Sequence, residues 1–147
     1  MLDRLLGLLS GTAPAAREQP SEQLSVALLL LELARADFEV PDVELAKIRD
    51  LLTQRYGLDA AQAGALFERA RAAGQETVSL YDYVQTLNTR LDPAGKRGLM
   101  EMLWQVAYAD GRLDKYEEHL LRKLAGLLYV SDDDYIRTKL SVAEGGR

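Results

Sequence analysis

Two short stretches of this chain place carboxylates at matching spacing. Ala34-Arg35-Ala36-Asp37-Phe38-Glu39-Val40 leads to Glu44, and Ala107-Tyr108-Ala109-Asp110-Gly111-Arg112-Leu113 leads to Glu117. The differences 110 − 37 and 117 − 44 are both 73, and the shared pattern is A-x-A-D-x-x-[VL]-x-x-x-E. An Asp, a turn Gly, an apolar plug and a closing Glu make up the second half of an EF-hand calcium loop, and the second stretch has all four in order. The first half of such a loop is missing, because Val106 and Tyr108 stand where earlier acids belong. One half-loop offers few oxygens. Two brought together offer Asp37, Glu39, Asp42 and Glu44 with Asp110, Asp114, Glu117 and Glu118, a hard oxygen set that suits Ca2+ or Mg2+ and not copper.

The same residues also have a purely structural reading. Asp37 and Asp110 fall at the C-terminal ends of helical patterns, where the helix dipole disfavours an acid by about 0.3–1 kcal/mol. A carboxylate that folds over its turn and accepts backbone N–H groups offsets that cost. Gly111 eases the second turn, Val40 and Leu113 plug the core, and Glu44 and Glu117 satisfy the first amides of the following helix. In the second unit Asp114 completes the cap; in the first, Pro41 holds that place and Asp42 follows it. A third reading is an acidic docking surface for a basic partner.

Composition narrows the alternatives. The 147 residues carry 18 Lys and Arg against 23 Asp and Glu, so the net charge is −5, opposite in sign to the basic face of a nucleic-acid binder. There is no Cys and one His, which excludes disulfides, thiolate metal sites and thiol nucleophiles and removes most triad and zinc chemistry. No phosphate loop, nucleophile elbow or metalloprotease motif is present. The expectation is a non-enzymatic protein with no small-molecule substrate. The apolar run Val26–Leu31 stops at Glu32, far short of the roughly 20 residues a spanning helix needs. His119 is expected to face solvent, because the sixth helix carries its apolar stripe on Leu113, Tyr116, Leu120, Leu124 and Leu127.

The elements that must position these acids read as helices throughout. At 48% hydrophobic residues and this length, one compact all-α domain is expected, a bundle of about seven helices. Residues 1–20 are a short amphipathic helix (Leu2, Leu5, Leu6, Leu9) and a flexible linker, and residues 21–147 are the helical domain. The amphipathic segment packs on its own domain or docks on a membrane surface or partner. Helices are expected from Ser21 to about Ala36, Asp42 to Arg55, Asp59 to Gly74, Ser79 to Leu91, Asp92-Pro93 to Ala109, and from Asp114 and Ser131 onward, with Glu144–Arg147 frayed. The first and fifth are apolar on nearly every side, which places them at the centre of the bundle. Trp104 is a core residue whose indole N–H needs a partner, and of Tyr81 and Tyr83 one is core and the other surface. Leu30 and Leu103, Arg49 and Arg122, and Leu51 and Leu124 also match at the offset of 73, so two related units, about 24–73 and 97–143, are joined by the fourth helix as a pseudo-twofold repeat.

The two A-D-[FG]-x-[VL] turns, each followed by Glu, in an all-helical chain of this size resemble the TerB (tellurite-resistance protein B) family over about Ser21 to Val142. The second turn, ADGRLDKYEEHLL, is the closer match; the first has Phe38 at the usual Gly and Pro41 at the usual cap. The resemblance implies a bacterial, cytoplasmic all-α protein of about seven helices. It further implies a clustered acidic site for a divalent metal, and association with stress-response or membrane-linked complexes, so that a protein partner and a peripheral place at the inner membrane surface are expected. Carried over residue by residue, the metal ligands it implies are Asp37, Glu44, Asp110 and Glu117.

Overall fold

The computed structural model describes residues 20–36, 42–75 and 80–145. Seven helices occupy them: α1 Glu22–Ala34, α2 Asp42–Tyr56, α3 Ala60–Gln75, α4 Leu80–Arg90, α5 Pro93–Ala107, α6 Lys115–Leu127 and α7 Asp132–Gly145, with no strand among the described residues. The expected amphipathic helix and most of its linker (residues 1–19) lie outside the described residues. No helix among the described residues is long and apolar enough to cross a membrane.

Polar side chains set the helix starts as their spacing suggests. Ser21 Oγ accepts the Leu24 N–H at 3.0 Å and opens α1, and Asp92 Oδ1 accepts the Gly95 N–H at 2.8 Å with Pro93 at the first helical position of α5. Asp59 and Gln62 form a reciprocal capping box at the start of α3, with N–H···O distances of 2.9 and 2.7 Å. Ser131 Oγ takes the Asp134 N–H at 3.1 Å to open α7. The sixth helix differs. Asp114 occupies the N-cap position but makes no side-chain cap bond, so the expected capping bond is not formed. Helix α7 continues to Gly145, past the Glu144 at which fraying is expected.

The two apolar helices lie at the centre. From Ser25 to Ala34 every residue of α1 except Glu32 is buried, and α5 buries Leu99, Met100, Leu103, Trp104, Val106 and Ala107. They pack on each other, and the remaining helices dress them: α2, α3, α4 and α6 touch α1, while α2, α6 and α7 touch α5. Burying each Leu here stabilises by about 1.5–3 kcal/mol, which makes this pair the main source of folding free energy. The helix boundaries recur at the sequence offset. Helices α1 and α5 end at Ala34 and Ala107, and α2 and α6 begin at Asp42 and Lys115. Both second helices also end in a left-handed residue, Gly57 at φ 62° and Tyr129 at φ 60°, followed by an N–H reaching back five residues: Leu58 to the Thr53 carbonyl and Val130 to the Ala125 carbonyl.

One correction concerns α6. Its buried face is Glu117, Leu121, Leu124 and Ala125, continued by Leu128, whereas Tyr116 and Leu127 of the expected stripe are exposed. The stripe is rotated because a carboxylate, Glu117, occupies an inward position that a hydrophobicity pattern assigns to solvent. His119 is exposed, and Tyr83 is buried while Tyr81 is exposed, as the spacing requires. Burial of Tyr56 and the hydrogen bond its hydroxyl donates to Glu22 (2.9 Å) push its phenol up to about 12, tying the start of α1 to the end of α2.

The glycines give a direct test of this packing. A Cβ on Gly64 meets nothing within 4 Å, but on Gly74 it would sit 2.9 Å from Glu32 Oε2 and 3.1 Å from Arg35 Nη1. Gly64→Ala is expected to stabilise by about 0.5–1 kcal/mol through helix propensity, raising Tm by roughly 1–4 °C. Gly74→Ala gains less or loses, because it pushes apart the Glu32–Arg35 pair (3.6 Å) that rests on this glycine. Thermal melts of the two variants side by side check it.

Candidate functional site

The second acidic turn forms where α5 gives out. The Tyr108 N–H still bonds to the Trp104 carbonyl at 2.9 Å, and the Ala109 N–H tightens to the Val106 carbonyl at 3.1 Å. The Gly111 N–H then closes back on the Tyr108 carbonyl at 2.9 Å, with Gly111 at φ 87°, a left-handed backbone that a side chain would strain. Asp110 is exposed at this corner, and its Oδ1 accepts the Arg112 N–H at 3.1 Å. That bond offsets part of the cost of an acid at a helix C-terminus. Leu113 packs against the core as the expected plug.

Glu117 lies in the first turn of α6 and is only 2% exposed; Glu44, at the same place in α2, is also 2% exposed. Two carboxylates this deeply buried require partners, and both have them. Asp114 falls between Asp110 and Glu117 in sequence, and its Oδ2 is buried without a hydrogen bond. Asp42 is exposed in the first turn of α2. Asp37 and Glu39, with Phe38, Val40 and Pro41, lie outside the described residues. Of the four ligands implied by family resemblance, the described structure therefore places Glu44, Asp110 and Glu117. No group of three or more His, Asp or Glu side chains able to hold a metal ion occurs among the described residues. The donors at the second hinge are carboxylate oxygens, a chemistry that fits hard cations and basic side chains.

Beside this hinge lies a feature that the sequence reading missed. A cleft of about 380 Å³ opens between the first half of α2, the C-terminal end of α5 and α7, with Val43, Ala46, Ala109 and Val142 as its apolar wall. Val43 immediately precedes Glu44, and Ala109 immediately precedes Asp110, so the acidic turn and the cleft share one end of the bundle. The signal available in sequence was slight: a valine on the exposed, mostly polar face of α2.

A second missed cluster rests on Trp104, which is fully buried. Its Nε1–H donates to Thr138 Oγ1 at 3.1 Å, and its ring lies 5.1 Å from that of Tyr135. Arg122 covers Tyr135 at 4.4 Å, and Lys139, paired with Glu118 at 3.1 Å, covers Trp104 at 5.6 Å. Arg122 is thus a packing residue as well as part of a solvated helix face. Burial raises the Tyr135 phenol above its ordinary value.

Comparison with curated proteins and with solved structures finds no significant match. Comparison with protein families matches residues 23–140, nearly all of the helical domain, to tellurite resistance protein TerB. On that match, and with helices alone among its described residues, the chain belongs to the TerB family.

Proposed function

We propose that this TerB-family protein acts by binding and not by turnover, as a stress-associated scaffold or sensor whose two acidic hinges together receive a divalent cation or a basic group of a partner. The observation that carries the reading is Asp114 Oδ2. A buried carboxylate oxygen with no hydrogen bond is costly unless a positive charge arrives to meet it, and this one belongs to the N-cap residue that falls between Asp110 and Glu117 in sequence. Asp37, Glu44, Asp110 and Glu117 are the residues that would hold a cation, with calcium or magnesium favoured by the oxygen-only donor set. A bound ion would neutralise the hinge acids and fix the angle at which each second helix leaves its turn. The protein partner belongs to a membrane-linked complex, and the place of action is the cytoplasm or the inner membrane surface.

A second reading has an observation of its own. The Asp110 carboxylate already accepts its own turn amide, and Glu44 and Glu117 are buried in the first turns of their helices, as purely structural caps would be. Melting temperature followed against Ca2+ and Mg2+ separates the two. A cation at a hundred times its dissociation constant adds about 2.7 kcal/mol, a rise of roughly 5–10 °C for a domain of this size. That rise should vanish in Asp110→Asn. A melting temperature indifferent to both ions and unchanged by basic peptide would leave only the structural module.

A further inference from the structure

We propose that the cleft between α2, α5 and α7 is a seat for an amphipathic helix of a partner protein, one that carries lysine or arginine along its rim. The inference rests on the reading of the chain as a binding protein but not on cation capture at the hinges.

The fold itself contains the precedent. Helix α4 lies on α1, sharing a small cavity with Leu28 and Glu32 of α1 and with Ala73 and Gly74 at the end of α3, and its Asn88 donates to the Leu127 carbonyl of α6 at 3.0 Å. It therefore rests on the first helix of one half, between that half's third helix and the other half's second helix. The cleft has the same three neighbours with the halves exchanged: α5 beneath, the end of α7 on one side and α2 on the other. Gln105, which lines the cleft, is the residue 73 positions after Glu32, which lines the cavity beside α4. In one half a helix lies against these three neighbours with Tyr83, Val84 and Leu87 turned inward, reaching the end of α6 at Leu127 where the cleft runs along the first half of α2. In the other, no helix among the described residues does so.

The lining suits such a visitor. Val43, Ala46, Ala109 and Val142 are small, so the larger side chains of an incoming helix have room between them, in the helix-in-groove manner. The charge around the opening selects the occupant. Asp50 lines the cleft with Lys47, and the exposed Asp42 and Asp110 directly adjoin the lining residues Val43 and Ala109 in the chain. An acidic rim speeds encounter with a basic helix and rejects an acidic one. A second copy of this chain would set the same acidic rim against itself. The chain's own first ten residues pair Asp3 with Arg4 and bring little positive charge.

The test uses the full-length protein, labelled with 15N and kept in a chelator so that cation binding does not contribute. The probe is a synthetic peptide with the sequence of α4, blocked at both ends, with Asp82→Lys, Gln85→Lys and Thr89→Lys on its outer face. A matched peptide carries Glu at those three positions. Saturable shifts are expected at the amides of Ala46, Gln105, Ala109 and Val142, with the Glu peptide at least about tenfold weaker. Ala46→Trp, at an exposed position, plugs the cleft and should abolish binding while circular dichroism and melting stay native; Gly64→Ala, away from the cleft on α3, should bind normally. Equal affinity for the two peptides, shifts centred elsewhere, or no binding at millimolar peptide would overturn the proposal. So would Ala46→Trp displacing the amides of residues 1–19, which would make the cleft the seat of the chain's own N-terminus, or concentration-dependent shifts at the cleft without peptide, which would make it a self-association surface. Normal peptide binding in a protein indifferent to Ca2+ and Mg2+ would reject the hinge cation and leave this seat standing.

Discussion

Replacing Trp104 with alanine is expected to destabilise the protein by about 3–5 kcal/mol, the range for removing a large buried aromatic. At this chain length that corresponds to a fall in Tm of roughly 6–20 °C. The size follows from the position of the side chain. Trp104 is fully buried in the central helix α5, stacks with Tyr108, packs tilted against Tyr135, and holds α7 through its bond to Thr138. The polar and apolar parts of that effect separate in Trp104→Phe. Thr138 Oγ1 also donates to the Asp134 carbonyl at 2.7 Å, so loss of the indole N–H leaves its own donor satisfied. The phenylalanine variant should therefore lose only the net value of one hydrogen bond, about 0.5–1.5 kcal/mol, plus a smaller cavity cost. Urea titrations of both variants, with unchanged m-values, measure the difference.

The buried glutamates carry the second large effect. Glu44→Ala and Glu117→Ala are each expected to cost about 1–3 kcal/mol, because each strands the partners of a fully buried carboxylate. The glutamine variants keep the shape and an acceptor oxygen, and should recover most of that loss. They also separate structure from binding. If the carboxylates serve only as caps, Glu117→Gln is close to silent in every assay. If they also serve a cation, Glu117→Gln folds normally but loses most of the cation-dependent rise in melting temperature. Melts of the alanine and glutamine pairs with and without Mg2+ therefore give four Mg2+-dependent shifts that the two readings order differently.

Much of the fold was legible because its signals are local. The cap residues Ser21, Asp59, Asp92 and Ser131 each accept the N–H that their spacing assigns, and the apolar runs around Leu30 and Leu103 place the central helices without reference to anything distant. The misreading of α6 has a physical origin. Glu117 is charged and faces inward, so a rule that sends charge outward turns the helix by part of a turn and buries Tyr116 in place of Leu121. Asp114 failed as a cap for a related reason: an Asp before a helix is a capping signal, but whether its oxygen reaches an amide depends on the turn before it, here fixed by Gly111 and Asp110.

The site was legible only in part. The repeated Asp and Glu were visible, and so was the oxygen chemistry they imply. That Glu44 and Glu117 are buried while Asp110 is exposed was not, because burial is decided by helices far away in sequence. The cleft beside the second hinge depends wholly on tertiary packing, since α2, α5 and α7 approach one another from positions up to about a hundred residues apart. Arg122 over Tyr135 and Lys139 over Trp104 belong to the same class of contact, invisible to charge patterning along one helix.

The central claim, that the two hinges form one receptive acidic site, is tested most directly by following backbone amides while Mg2+ or Ca2+ is added to the 15N-labelled protein. The amides of residues 37–40 and 110–113 should move together, saturate at one dissociation constant, and all stop responding in Asp37→Asn alone. Shifts confined to one hinge, or an Asp37→Asn protein whose second hinge still titrates as before, would contradict it.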